Sequence, residues 1–212
     1  MKILMTLFFL FTSFQAHSLL MIEPYVSLGL GSADLDQTLS ATNTLDHNES
    51  ILQASAGGRA GLRIMGVSAG GVAEISKQHW DGHRADQTGD FFFQSKGYNN
   101  SVQETLYGGY VGFLSSSLRV WGEYYTHAEA RFTYSGTEGE NAFTEGAKLE
   151  GSGFGVGVGA QLTSILSLSA LFRYLSYDQL SQNFVESTLP SSTLTKVEVK
   201  SLMIQFSFLF GI

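Results

Sequence analysis

Six large apolar residues, Leu202, Ile204, Phe206, Phe208, Phe210 and Ile212, fall on every second position of the last stretch of the chain. Met203, Gln205, Ser207, Leu209 and Gly211 stand between them. A period of two belongs to a β-strand with one face in an apolar medium. The same alternation recurs along the chain, at Met21–Gly31, Ser55–Met65, Val67–Lys77, Glu104–Leu114, Leu118–Phe132, Leu149–Leu162 and Leu166–Tyr177, with Val197–Ile212 as the last segment. Eight segments of this kind predict an all-β chain.

The connections predict how the strands are joined. Met65-Gly66-Val67, Ser115-Ser116-Ser117 and Thr163-Ser164-Ile165 leave room only for tight turns, whereas the stretches near 32–54, 78–103, 133–148 and 178–196 are long and polar. Tight turns at one end and long loops at the other describe an up-and-down antiparallel meander closed into a transmembrane barrel. An even number of strands puts both ends of the barrel on the turn side.

One set of alternate residues carries no charge: Ile22, Pro24, Val26, Leu28 and Leu30, then Ala60, Leu62 and Ile64, and later Phe154, Val156, Val158 and Ala160. The opposite set holds Glu23, Arg59, Arg63, Glu74, Arg119, Glu123, Gln161, Arg173 and Gln205. Lysine or arginine on the lipid side at mid-bilayer costs about 2–4 kcal/mol, which gives the segregation its cause. In the fourth segment both faces are apolar enough to point outward. A soluble lipocalin-like barrel would turn the apolar set inward instead. Gly153, Gly155, Gly157 and Gly159 favour the membrane version, because inside a narrow barrel a glycine row makes room for bulky neighbours such as Trp121 and Tyr125.

Composition agrees. Only 15% of residues are charged, against about 25% in soluble domains, and the chain has 24 glycines and two prolines. It has no cysteine, and its net charge of −7 argues against a nucleic-acid partner. Lys2 followed by an apolar run from Ile3 to Phe14 and by Ala16-His17-Ser18 reads as a secretory signal over residues 1–18, leaving 19–212 as one barrel domain.

The signal, the opening Ile-Glu-Pro-Tyr-Val-Ser-Leu-Gly-Leu-Gly (Ile22–Gly31) and the closing Phe206-Ser-Phe-Leu-Phe210 together resemble the eight-stranded outer-membrane β-barrel family. That family includes the OmpA transmembrane domain and OmpX-type proteins. The resemblance implies a monomer in the outer membrane of a Gram-negative cell, surrounded by membrane lipid and lipopolysaccharide. It also implies a C-terminal strand read by the barrel-assembly machinery. No cofactor is expected.

Arg59, Arg63, Glu74, Arg119, Glu123 and Arg173 form the expected interior constellation. Buried charges must pair, so the six predict a plug that fills the lumen; the alternative is a gate for small ions or solutes. Three weaker readings stand beside it. His79, Asp81 and His83, with Asp86 and Asp90 nearby, offer metal-ligand chemistry in what reads as a loop. Thr126 and His127, with Glu123 or Glu129, offer part of a nucleophile–base–carboxylate set such as a lipid A-modifying enzyme needs. Among Phe91, Phe92, Phe93, Phe132, Tyr134, Phe143 and Phe184 some suit an interfacial girdle and Phe91–Phe93 an adhesive tip, and the acidic long loops suit an extracellular ligand or divalent cations. A structural or surface-interaction role is the expected function.

Overall fold

The computed structural model describes residues 20–40, 43–85, 95–115, 117–135, 146–181 and 193–211. The signal expected over residues 1–18, Phe91–Phe93, Phe143, Phe184, Asp86 and Asp90 lie outside them. Eight antiparallel strands follow one another: β1 (Leu20–Ser40), β2 (Asn43–Ile64), β3 (Val67–Ala85), β4 (Ser95–Leu114), β5 (Leu118–Ser135), β6 (Lys148–Gln161), β7 (Leu166–Ser181) and β8 (Thr193–Phe208). Each pairs with its sequence neighbour, and β1 pairs with both β2 and β8, so the sheet closes on itself. Phe210–Gly211 continues β8 in the same register against Met21 and Ile22. The ladder breaks opposite Glu23 and Pro24, and proline has no N–H to give.

Following the partners around the barrel shows how it closes. Ile22 pairs with Ala60, then the path runs through Gly71, Gly109, Tyr124, Phe154, Tyr174 and Lys200, and it returns to β1 at Ser32, ten residues above its start. A stagger of this size in eight strands sets a tilt of about 40° and leaves an interior just wide enough for side chains.

The turns are as short as expected. Between Ile64 and Val67 the two turn residues, Met65 and Gly66, both have positive φ (53° and 84°), the signature of a type I′ hairpin. In the β6–β7 turn the Thr163 hydroxyl accepts from the N–H of Leu166 at 3.0 Å. Both described ends of the barrel, Leu20 and Gly211, lie on this side.

The long connections are shorter than expected. β1 and β2 run on to Ser40 and from Asn43, β3 runs to Ala85, β4 starts at Ser95 and β8 starts at Thr193. Most of the two stretches read as loops at 32–54 and 78–103 is therefore strand, and so are both ends of the stretch at 178–196. The cause is an inversion of the in–out pattern partway up the barrel. In β8, Leu202, Ile204, Phe206 and Phe208 face out while Ser201, Gln205 and Ser207 are buried inside; above them Lys196, Glu198 and Lys200 face out while Val197 and Val199 are buried. β5 inverts too, at a bulge where Thr126 and His127 are both exposed: Trp121, Glu123 and Tyr125 point in below it, and Ala128, Ala130 and Phe132 point in above it. The lower storey is apolar outside and largely polar inside; the upper storey is polar outside, around an apolar interior that also holds Glu49 and Gln78.

The fourth strand's faces are settled by the same burial. Tyr107, Val111 and Phe113 are exposed; Leu106 and Tyr110 are buried.

The charged network inside the barrel

The outward apolar side chains of the lower storey are open to their surroundings: Leu28 is 66% exposed and Leu30 67%. The lipocalin-like arrangement, with the apolar set inward, is excluded for this storey. The polar set lies within, and five of the six expected residues are buried there: Arg59 on β2, Glu74 on β3, Arg119 and Glu123 on β5, and Arg173 on β7.

They form two connected layers. In the lower one, Arg59 donates from Nε to Glu123 at 2.5 Å, from Nη1 to Glu23 at 3.1 Å and from Nη2 to the Gln205 side chain at 3.0 Å. Arg119 donates through both terminal nitrogens to Glu23. Trp121 Nε1 donates to Glu123 at 3.0 Å, and the Tyr125 hydroxyl donates to the same carboxylate. In the upper layer Arg173 bridges Glu74 at 2.6 Å and Glu104 at 3.4 Å. Tyr25 donates to Glu74 at 2.8 Å, and Tyr177 donates to Glu104 at 2.6 Å. Aromatic faces cover the cations: Arg59 lies 4.5 Å above the Tyr25 ring and 4.7 Å above Trp121, and Arg119 lies 4.6 Å above Trp121.

Arg63 departs from expectation. It faces the lumen at the turn end, half-buried, and joins no ion pair among the described residues. Glu104, Tyr25 and Tyr177 are members that the sequence did not single out, and Glu23, in the expected polar set but outside the six, joins them. Within the two layers four buried carboxylates (Glu23, Glu74, Glu104, Glu123) meet three buried guanidiniums, and phenol and indole donors make up the shortfall.

The room for this comes from glycine. A Cβ on Gly157 would stand 2.1 Å from Trp121 Cζ2, and one on Gly57 would stand 2.7 Å from the Tyr25 ring. The glycine row of β6 thus accommodates Trp121 as expected. Apolar clusters close the network at both ends. Met21, Tyr110 and Leu209 pack at the turn end, and above the charges Trp80 meets Phe132 edge-to-face at 5.5 Å among Ile51, Val102, Leu149, Tyr177 and Val199.

The weaker candidates fall elsewhere. Thr126 and His127 sit on the outward bulge while Glu123 points inward, so these three do not converge; His127 stacks on Tyr107 instead, with ring centroids 6.0 Å apart. His79 and Asp81 belong to β3, not to a loop, and their side chains approach to 3.4 Å on the exposed face, with Trp80 buried between them in sequence. Among the described residues no group of three His, Asp or Glu side chains gathers to hold a metal. Phe132 is buried inside rather than in a girdle. The rings that do ride at the top of the apolar belt are Tyr107, Tyr124, Phe154 and Tyr174. Outside the hydrocarbon-facing part, above these rings, the Lys148 ammonium donates to Glu129 at 2.9 Å and holds its carboxyl below the usual range.

No model of a known protein family matches the chain, and no curated protein matches it. Solved structures do. The outer-membrane protein OprG from Pseudomonas aeruginosa aligns over 92% of this chain and 98% of its own, with a TM-score of 0.50 and 11% identity. Neisserial surface protein A aligns over 87% of this chain and 96% of its own, with a TM-score of 0.43 and 14% identity. The likeness to OprG is one of fold: a closed antiparallel barrel of the outer-membrane type.

Proposed function

We propose that the chain is an integral outer-membrane protein of a Gram-negative cell whose lumen is a sealed structural plug. Its work is done at the surface, by the ends of the tall strands and the connections between them. One observation carries this reading: the three buried guanidiniums, Arg59, Arg119 and Arg173, are each bonded to carboxylates and covered by aromatic rings, between two apolar seals. Opening a path for ions would require breaking several buried pairs at once, each costing about 3–5 kcal/mol when one partner is lost.

Two other readings are supported less. A narrow pore needs a continuous wet path, and the Trp80–Phe132 and Met21–Tyr110–Leu209 clusters stand across it at both ends. A lipid-modifying enzyme was motivated by Thr126 and His127 with Glu123 or Glu129; Glu123 points the other way, and Glu129, on the outward face with His127, is taken up by Lys148 and Arg131.

Planar-bilayer recording separates plug from pore. The wild-type barrel is expected to give no resolved openings, and Arg59→Ala to give unstable leakage. Steady wild-type openings that vanish in Arg119→Ala or Glu123→Ala would reverse the assignment.

A further inference from the structure

We infer that the turn end of the lumen holds a docking site for a carboxylate, offered by the free end or an acidic side chain of a periplasmic peptide. This rests on the outer-membrane reading, which puts the turn end in the periplasm, and adds a ligand to it.

The site begins with a cation that has no counter-charge. Arg63, on β2, faces the lumen at the mouth, half-buried, with no ion pair among the described residues. The other lumen guanidiniums, Arg59, Arg119 and Arg173, each have a carboxylate. The sequence supplies none near Arg63: the turns and strand ends at 20–22, 64–67, 113–118, 161–166 and 208–211 contain no Asp or Glu. Glu23, the first carboxylate above the mouth, is already taken by Arg59 at 3.1 Å and by both terminal nitrogens of Arg119.

The surroundings of Arg63 are donors set in bare backbone. Arg63 pairs across to Ser68 on β3, and Ser68 to Gly112 on β4; one step inward, Gly61 pairs with Gly70 and Gly70 with Tyr110. A Cβ on Gly61 would stand 2.1 Å from the Ala69 carbonyl oxygen, and one on Gly70 2.1 Å from that of Ala60. Neither position can carry a side chain to fill this corner. Tyr110 roofs it. The residue is only 5% exposed, and its ring packs on Met21, Leu209 and Leu114, which all stand near the turn ends of their strands, so the ring leans toward the mouth. Its hydroxyl has no hydrogen-bond partner among the described residues. The Ser68 hydroxyl, also buried, reaches only the Gly112 carbonyl at 3.5 Å, a long contact for such a bond. A buried phenol left unbonded is costly, which favours a guest that accepts.

A carboxylate fits this set. Its two oxygens match the fork of a guanidinium, and a hydroxyl beside it adds a charge-assisted bond. One cation balances one carboxylate, whereas a phosphate dianion would bring a second charge with nothing to meet it. The interior of an eight-stranded barrel is only wide enough for side chains, so the guest enters as a chain end or a side chain. The Met21–Tyr110–Leu209 seal stands above it, which makes the site a dead end that holds a guest and passes none.

The test uses the full barrel in phosphatidylcholine nanodiscs, where the turn end is open to solution. The probes are N-acetyl-alanyl-alanine, its C-terminal amide and inorganic phosphate, and the readout is the NMR shift of the Ser68 and Gly70 amides. Saturable shifts with the free acid, none with the amide and weaker binding of phosphate are expected. Arg63→Gln should abolish the shifts and Arg63→Lys keep part of them. Tyr110→Phe, which retains the ring in its seal, should weaken binding about fivefold. Heat-modifiable mobility on gels shows that each variant is folded. No saturation with the free acid, equal shifts with acid and amide, phosphate binding as tightly as the peptide, or Arg63→Gln binding like wild type would overturn the site while leaving the barrel reading intact. Failure of the wild type to enter nanodiscs would instead overturn the outer-membrane reading beneath it.

Discussion

Arg59 shows what a single residue does in this lumen. Its guanidinium reaches Glu23, Glu123 and Gln205 and lies between the rings of Tyr25 and Trp121, so it ties β2 to β1, β5 and β8. Arg59→Met keeps much of the volume but leaves two carboxylates short of a cation. The expected loss is about 3–5 kcal/mol of folding free energy, read from urea unfolding in lipid vesicles by tryptophan fluorescence. Adding Glu123→Gln should recover part of it, because the stranded charge is then gone. Met65 works in the other direction. It holds φ of 53° in a type I′ turn, a conformation that Asn adopts more readily. Met65→Asn should raise stability by about 0.5–1 kcal/mol in the same assay, and no change would mean that the turn relaxes in solution.

At the scale of the strands, β6 and β5 depend on each other. Gly157 is the hole and Trp121 the knob, so Gly157→Ala forces the indole aside and should cost about 1–3 kcal/mol. Shrinking the knob with Trp121→Leu in that background should return part of the loss, and strictly additive effects would show that the two do not share the space. The glycine alternation was legible in the sequence because it is periodic and lies opposite an apolar row. So were the strands of the lower storey and five of the buried charges, since hydrocarbon outside and charge inside give the strongest contrast a strand can carry. The upper storey was illegible for the converse reason. Once the outer face meets water, Lys196, Glu198 and Lys200 read as loop, and the inward Val197 and Val199 are too few to announce a strand. Trp80 was hidden among His79, Asp81 and His83, and Glu104 lay at the margin of a strand whose facing the pattern left open. At Thr126–His127 a bulge shifts the phase of β5, and no count of alternating residues carries across it.

Taken whole, the molecule is about twice as tall as the layer it is built to cross. At a tilt of about 40° each residue climbs about 2.5 Å, so β2, with 22 residues, spans about 55 Å against an apolar band of about 25 Å. The upper half is held together as a soluble protein is, by Trp80, Phe132, Tyr177 and their neighbours packed inside a polar skin. The lower half relies on lipid outside and paired charge within. This division makes a sharp forecast for accessibility, and a chain without cysteine suits the measurement, since every introduced thiol is the only one. Lys196→Cys and Glu150→Cys should react rapidly with a membrane-impermeant maleimide in proteoliposomes with the upper end outward. Ile204→Cys and Val156→Cys, on the same outer faces but beneath the ring of Tyr124, Phe154 and Tyr174, should stay protected until detergent is added. Comparable labelling above and below that ring would mean that water, not hydrocarbon, wets the leucines and valines of the lower storey. The buried arginines would then have no apolar wall to justify their confinement.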